Sequence, residues 1–234
     1  MWQKKTKKTV FTLNTEPDAY REITDLTYPL LKAYCKKIGA DFHVISERKF
    51  PEWRSVTYEK CQVYQLAQDM ENDWNIFVDA DALIHPDMID LTSLLPRDTV
   101  LHNGNDFAGI RWKYDRFFMR DGRNIGSCTW FNIASDWCIE MFKPLDDLTP
   151  EEAYSNIFPI GAELKNGYEP WRLIEDYVFS RNIAKYGLKF KTFADMVEEE
   201  PKMTGEYFWH IYATPIEEKV VKMRQTLNNW GITP

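Results

Sequence analysis

The sequence predicts an α/β fold with a mostly parallel central sheet flanked by helices. Two observations carry that expectation. The chain opens as strand, helix, strand, the order that parallel pairing requires. Further on, after Asn75, Ile76-Phe77-Val78 is an apolar run of the kind found in strands buried on both faces. That run leads straight into Asp79-Ala80-Asp81 and on to Ala82-Leu83-Ile84.

Taken in order, Thr9 to Leu13 alternates, is β-prone and delivers the polar Asn14-Thr15. Ile23, Leu26, Leu30, Leu31 and Tyr34 fall near helical spacing, and Gly39 is a natural stop. Pro29 lies inside this stretch, so the helix is expected to begin just before it. Asp41 to Ile45 is the second strand, and residues 46–56 read as loop. Val63, Leu66, Ala67 and Met70 stripe a helix from Tyr58 to Met70, which feeds the acidic strand. Met88 to Leu95 reads as a short helix stopped by Pro96.

Val100 to His102 and Asp106 to Arg111 are candidate strands about a Gly104-Asn105 turn. Residues 112–123, rich in Arg, Lys and aromatics, stay unassigned. Ser127 to Ile133 reads as a strand and Asp136 to Phe142 as a helix. Residues 146–170 read as one long irregular stretch, the kind that is usually functional or mobile. Ile174 to Tyr186 is helical, with Gly187 as terminator. Phe190 to Phe193 reads as a strand, Glu198-Glu199-Glu200-Pro201 as a charged turn, and Tyr207 to Tyr212 as a last apolar stretch. Ile216, Val220, Met223, Leu227 and Trp230 mark an amphipathic closing helix capped by Gly231.

Composition narrows the class. With 44% hydrophobic and 15% aromatic residues, the 234-residue chain can fill one sizeable core, which argues against disorder. No repeat, low-complexity segment or linker stands out. A single domain over residues 1–234 is expected, with 1–8 a basic tail and 216–231 the closing helix. The net charge of -7 argues against a nucleic-acid partner. Cys35, Cys61, Cys128 and Cys138 lie far apart without a Cys-x-x-Cys, which removes zinc and redox motifs and implies free thiols in a reducing compartment. No apolar run approaches a membrane span or a signal segment, so a soluble, cytoplasmic protein is expected.

The chemistry concentrates at Asp79 and Asp81. Carboxylates are costly in an interior unless paired, hydrogen-bonded or metal-bound. In an extended chain, residues two apart point to one side, so the pair can converge at the strand end, where open α/β sheets bind ligands. A divalent metal carrying a phosphate-bearing substrate is the functional expectation. The alternative is a turn or helix-capping cluster before Pro86-Asp87. Two carboxylates with one imidazole suit a hard to borderline ion such as Mn2+ or Mg2+. From its surroundings, Tyr207, Phe208, Trp209 and Tyr212, His210 reads as a core histidine. His43 reads as a packing or surface residue, and His85 and His102 have no evident partner. Glu175-Asp176, in the first turn of the expected helix, suits the helix dipole.

The chain resembles GT-A-fold glycosyltransferases, which use nucleotide-diphosphate sugars and a divalent metal. The resemblance rests on Asn75 to Ile84, Glu59-Lys60, Asn124-Ile125-Gly126, Ile174-Glu175-Asp176 and Trp209-His210-Ile211-Tyr212, in order between about residues 9 and 215. It implies a mixed, mostly parallel sheet with a Rossmann-like nucleotide-binding half. It implies a metal held by Asp79, Asp81 and His210, with Asp81 facing the ion and Asp79 acting through water or the ribose. Lys219 would hold the diphosphate. Asp176, beside Glu175, would deprotonate the acceptor hydroxyl as in inverting members, although Ile174 stands where those members have a glycine, which leaves inversion or retention open. Thr12, Asn14, Thr15 and Lys60 would receive the base and ribose of the donor. Asp106 and Asn124 are candidates for sugar or acceptor contacts, and Trp112, Tyr114, Phe117, Phe118, Trp130 and Trp171 for an acceptor wall.

The expected activity is transfer of a hexose or deoxyhexose from a UDP- or similar sugar to a glycan hydroxyl. Two rivals remain. A sugar-nucleotide nucleotidyltransferase would show a glycine-rich loop after the first strand, and residues 12–22 contain no glycine. A non-catalytic sugar-nucleotide or glycan-binding module would lack the need for a complete acid–acid–histidine set.

Overall fold

The computed structural model describes residues 6–102, 129–159, 161–165, 167–200, 205–211 and 214–232. Outside them lie the Asp106–Arg111 strand, the unassigned 112–123 segment, Asn124-Ile125-Gly126, the start of the Ser127 strand, Cys128, Pro201 and Tyr212. Asp106, Asn124, Trp112, Tyr114, Phe117 and Phe118 fall outside with them.

A six-stranded sheet runs in the order β2-β1-β3-β6-β5-β7. The strands are β1 (Lys8–Leu13), β2 (Asp41–Ile45), β3 (Trp74–Val78), β5 (Thr99–His102), β6 (Phe131–Ser135) and β7 (Lys189–Lys191). β1 pairs in parallel with β2 and β3, and β5 with β7, while β6 runs antiparallel to both β3 and β5. The sheet is therefore mixed and mostly parallel. A separate two-stranded ribbon joins β4 (Leu83–Ile84) to β8 (Phe208–Trp209).

Alternation along the strands sends side chains into two cores. Phe11 and Phe77 face one core, with Tyr58, Val63 and Ala67, and with Tyr177, Val178 and Phe179 of a later helix. Val10, Ile76 and Val78 face the other, with Leu31, Tyr34, Cys35 and Ile38 of α1 (Arg21–Ile38). The sheet is thus sandwiched between helical layers. A third cluster joins Ile23 and Leu26 of α1 to Val220, Met223 and Leu227 of the closing helix. Cys35, Cys61 and Cys138 are buried free thiols. Among the described residues no helix is long and apolar enough to cross a membrane.

Several expected boundaries are corrected. α1 begins at Arg21, with Pro29 inside it. Burial of Ile23 and Leu26 holds the first turns helical although Pro29 has no N–H to give. The Tyr58–Met70 helix divides into a 3-10 turn, Val56–Cys61, capped by Ser55, and α2 (Gln62–Asp69). Met88–Leu95 contributes only a 3-10 turn at Leu91–Ser93, where the Asp90 side chain accepts from Thr92 N. β6 starts later than expected and runs to Ser135, held by pairing with Trp74, so the following helix shrinks to a 3-10 turn at Ile139–Phe142.

Capping chemistry explains two further misses. Within the stretch read as irregular lie α3 (Pro150–Ser155) and α4 (Gly161–Lys165). α3 opens with a Thr149–Glu152 capping box. β7 ends at Lys191, because Thr192 and Asp195 form another box that starts α6 (Phe193–Glu199). Phe193, Glu198 and Glu199 are therefore helical. α5 (Ile174–Lys185) and α7 (Ile216–Asn229) follow the predicted pattern. At the N-terminus Lys8 is the first residue of β1 and pairs with Asp90, and Lys7 N donates to Asp73 Oδ2 at 2.8 Å. Those two lysines are docked, not tail.

Candidate active site

β3 ends at Val78, so the two aspartates stand in a turn and not in an extended strand. Ala82 N donates to Asp79 O at 3.1 Å, closing that turn. Asp79 N donates to Trp130 O at 2.8 Å, and Thr27 Oγ1 of α1 donates to Ala80 O at 2.7 Å. The acids converge because the turn is pinned from both sides. The expected side-by-side projection from a strand is corrected on this point.

β4 follows the turn directly and pairs with β8, Leu83 opposite Trp209. That ribbon brings His210 back to the aspartates. Its Nε2 lies 3.3 Å from Asp81 Oδ1 and 3.8 Å from Asp79 Oδ2. The imidazole stacks on Trp130 with ring centres 5.2 Å apart, which fixes its plane. One ligand atom from each of Asp79, Asp81 and His210 lies within 4.8 Å of the others. Two carboxylate oxygens and an imidazole nitrogen at that spacing fit a divalent cation of the Mn2+ or Mg2+ type.

Two lysines face the same acids. Lys219 of α7 ion-pairs with Asp81. Burial works to raise the Asp81 carboxyl, but His210 and Lys219 outweigh it and hold the group well below the usual carboxylate range. Lys60 is buried, with Nζ 2.6 Å from Asp79 Oδ1 and 2.7 Å from Glu175 Oε2. It also donates to Thr129 O at 3.3 Å. Burial alone would lower this ammonium, and the two carboxylates more than reverse that. Glu175 is pushed up to about 7, chiefly by burial, against the pull of Lys60 and with Asp79 and Asp176 adding to the rise. The Val56–Cys61 turn and the start of α5 are thereby tied to the end of β3.

A cleft of about 210 Å³ opens beside this cluster. Its walls include Asn14, Thr15, Glu16 and Tyr20 after β1, Val56, Thr57 and Lys60, and Asp79 to Asp81. Of the residues expected to receive a nucleotide, Asn14, Thr15 and Lys60 are on this wall. Thr12 is fully buried within β1, beneath it. Asn14 Oδ1 accepts from Glu16 N at 3.2 Å, shaping the loop. Asp176 sits in the first turn of α5 beside Glu175. Trp130 supports His210, and Trp171 lies in the 3-10 turn before α5.

Reading the sequence missed Tyr20, Thr27 and Thr129. Tyr20 has its hydroxyl raised by burial first, and then by Asp81, Glu16 and Asp79. No local pattern marks these three; they become visible only when α1 and β6 are folded against the turn. The unassigned histidines also acquire partners. His85 stacks on Tyr207 with centroids 5.4 Å apart, and His102 Nδ1 lies 2.8 Å from Asn132 Nδ2. His43 packs edge-on against Phe11.

This mixed, mostly parallel six-stranded sheet flanked by helices has the GT-A fold of solved glycosyltransferases. The chain matches a glycosyltransferase involved in glycosylation of the major capsid of PBCV-1, with a TM-score of 0.52 and 15% identity, over 93% of this chain and 98% of that one. It also matches the galactosyltransferase LgtC, solved with donor and acceptor sugar analogues, with a TM-score of 0.50 and 12% identity over 97% of each chain. At these identities the likeness is one of fold. No protein-family model matches the chain, and no curated protein does.

Proposed function

We propose that the protein is a metal-dependent glycosyltransferase that moves a hexose or deoxyhexose from a UDP-sugar or similar donor to a hydroxyl of a glycan. The observation that carries this reading is the convergence of Asp79, Asp81 and His210 at the mouth of the cleft after β1. Two aspartates alone would repel a diphosphate. The residues present fit Mn2+ or Mg2+, which when bound would neutralise charge building on the departing nucleoside diphosphate.

The remaining roles belong to the chain's own groups. Asn14, Thr15 and Tyr20 border the space for base and ribose. Asp81 would face a bound metal, and Asp79, held by Lys60, would complete its carboxylate pair. Lys219, already at Asp81, is placed to meet diphosphate oxygens. Asp176, next to Glu175 in the first turn of α5, would act as the general base toward the acceptor hydroxyl, with inversion as the outcome. The test is release of nucleoside diphosphate from a panel of nucleotide sugars, with Mn2+ and with chelator. Metal-dependent release from at least one donor supports the reading, and no release from any donor contradicts it.

A further inference from the structure

Arg54 and Arg172 both lay a guanidinium against Trp171, with Cζ 4.4 and 5.1 Å from a ring centroid. Arg172 also lies 5.7 Å from the ring of Tyr168. Both arginines are exposed. Arg48, Arg97 and Arg181 are each paired with an acid, whereas neither Arg54 nor Arg172 has a carboxylate within 4.0 Å among the described residues. What sets Arg54 and Arg172 together is the shared indole: both cations lie over the ring of Trp171.

The face is firmly mounted beside the cleft. Trp53 stacks on Tyr58 at 3.9 Å, and Arg54 N donates to Tyr154 Oη at 3.0 Å. Ser55, the next residue, caps the turn whose Val56, Thr57 and Lys60 line the cleft. On the other side, the Pro170–Leu173 turn that carries Trp171 and Arg172 runs directly into α5, where Glu175 meets Lys60. The arginine pair therefore lies where the segment bearing Lys60 meets the segment bearing Glu175-Asp176.

A guanidinium resting over an indole can keep N–H groups of its fork free for a second partner. Such a fork meets a carboxylate or phosphate with two parallel hydrogen bonds. We infer that Arg54, Trp171 and Arg172 form a subsite for a sugar carrying an anionic group, a uronic acid or a sugar phosphate. Calling that sugar the acceptor rests on the transferase reading; the binding itself does not.

The test is an NMR titration without donor or metal, using methyl β-glucuronide, glucose 6-phosphate and methyl β-glucoside. At least one anionic sugar binds about tenfold more tightly than the neutral glucoside, as charge-assisted hydrogen bonds imply. The tighter of the two anionic sugars names the group recognised. In R54Q/R172Q, whose exposed positions leave the melting curve unchanged, that preference disappears. Equal binding of charged and neutral sugars, no binding by any of the three, or a preference that survives in R54Q/R172Q overturns the inference. A preference found in a protein that transfers no sugar overturns the transferase reading and leaves the subsite standing.

Discussion

Lys219, on the closing helix, forms an ion pair with Asp81 across 138 residues of chain. Both side chains are largely shielded, at 9% and 16% exposure, so the contact ties α7 to the turn that carries the aspartates. Lys219→Met leaves Asp81 without its ammonium and costs about 1.5–3 kcal/mol in chelator. Added Mn2+ narrows the loss, because a cation at Asp81 replaces the missing charge. Urea titrations with and without Mn2+ measure both effects. A variant as stable as the parent in chelator contradicts this account of the pair.

Lys60 sits between Asp79 and Glu175, and its removal leaves two shielded carboxylates without their shared cation. Lys60→Met is expected to cost about 3–5 kcal/mol. Well above neutral pH, where Glu175 is ionised even without Lys60, adding Glu175→Gln removes one of the stranded charges, so the double variant is more stable there than Lys60→Met alone. Simple additivity of the two single losses would show that Lys60 and Glu175 are not coupled.

Asp176→Asn separates the base from the donor site. Donor binding stays intact, while turnover falls by about 10²–10⁴, the usual worth of a positioned general base. Initial rates at saturating donor decide this. Near-normal turnover removes Asp176 from the role.

The far end of α5 carries a pH-dependent anchor. Arg181 meets Asp147 with two hydrogen bonds of 3.1 Å, and Lys185 adds a third contact at 2.9 Å. Burial works to raise the Asp147 carboxyl, but Arg181 and Lys185 outweigh it and hold it below its usual value. A depressed folded-state value means stabilisation present above the unfolded value and lost as pH falls through the folded one. Asp147→Asn should therefore be less stable than the parent at about pH 6, with the gap closing below about pH 4. Denaturant midpoints across that range check the sign, and a gap that widens on acidification contradicts it.

Much of this was legible in the sequence because period and composition act locally. The apolar run before Asp79 reads as a buried strand, and the α1 and α7 patterns follow one helical face each, whereas α5 is buried on nearly every side from Tyr177 to Ile183. Boundaries failed where a competing local interaction won. Thr149 and Thr192 start helices through capping boxes, and Pro29 is overridden by burial of Ile23 and Leu26. At the site, Asp79 and Asp81 were nameable from residue type and order, and His210 from the resemblance. Their convergence was not, since it depends on the Asp79–Ala82 turn and on β4 pairing with β8. Lys60 illustrates the remainder: its place on the cleft was expected, but its burial between two acids arises only when α5 packs against the Val56–Cys61 turn.

The most direct test of the central claim is a thermal shift with UDP. In the parent, UDP raises the melting temperature with Mn2+ or Mg2+ present and not in chelator, because the nucleotide is held through a cation at Asp79, Asp81 and His210. Asp81→Ala abolishes that metal-dependent rise. Stabilisation by UDP that persists in chelator, or an undiminished rise in Asp81→Ala, contradicts the assignment of these three residues as the metal site.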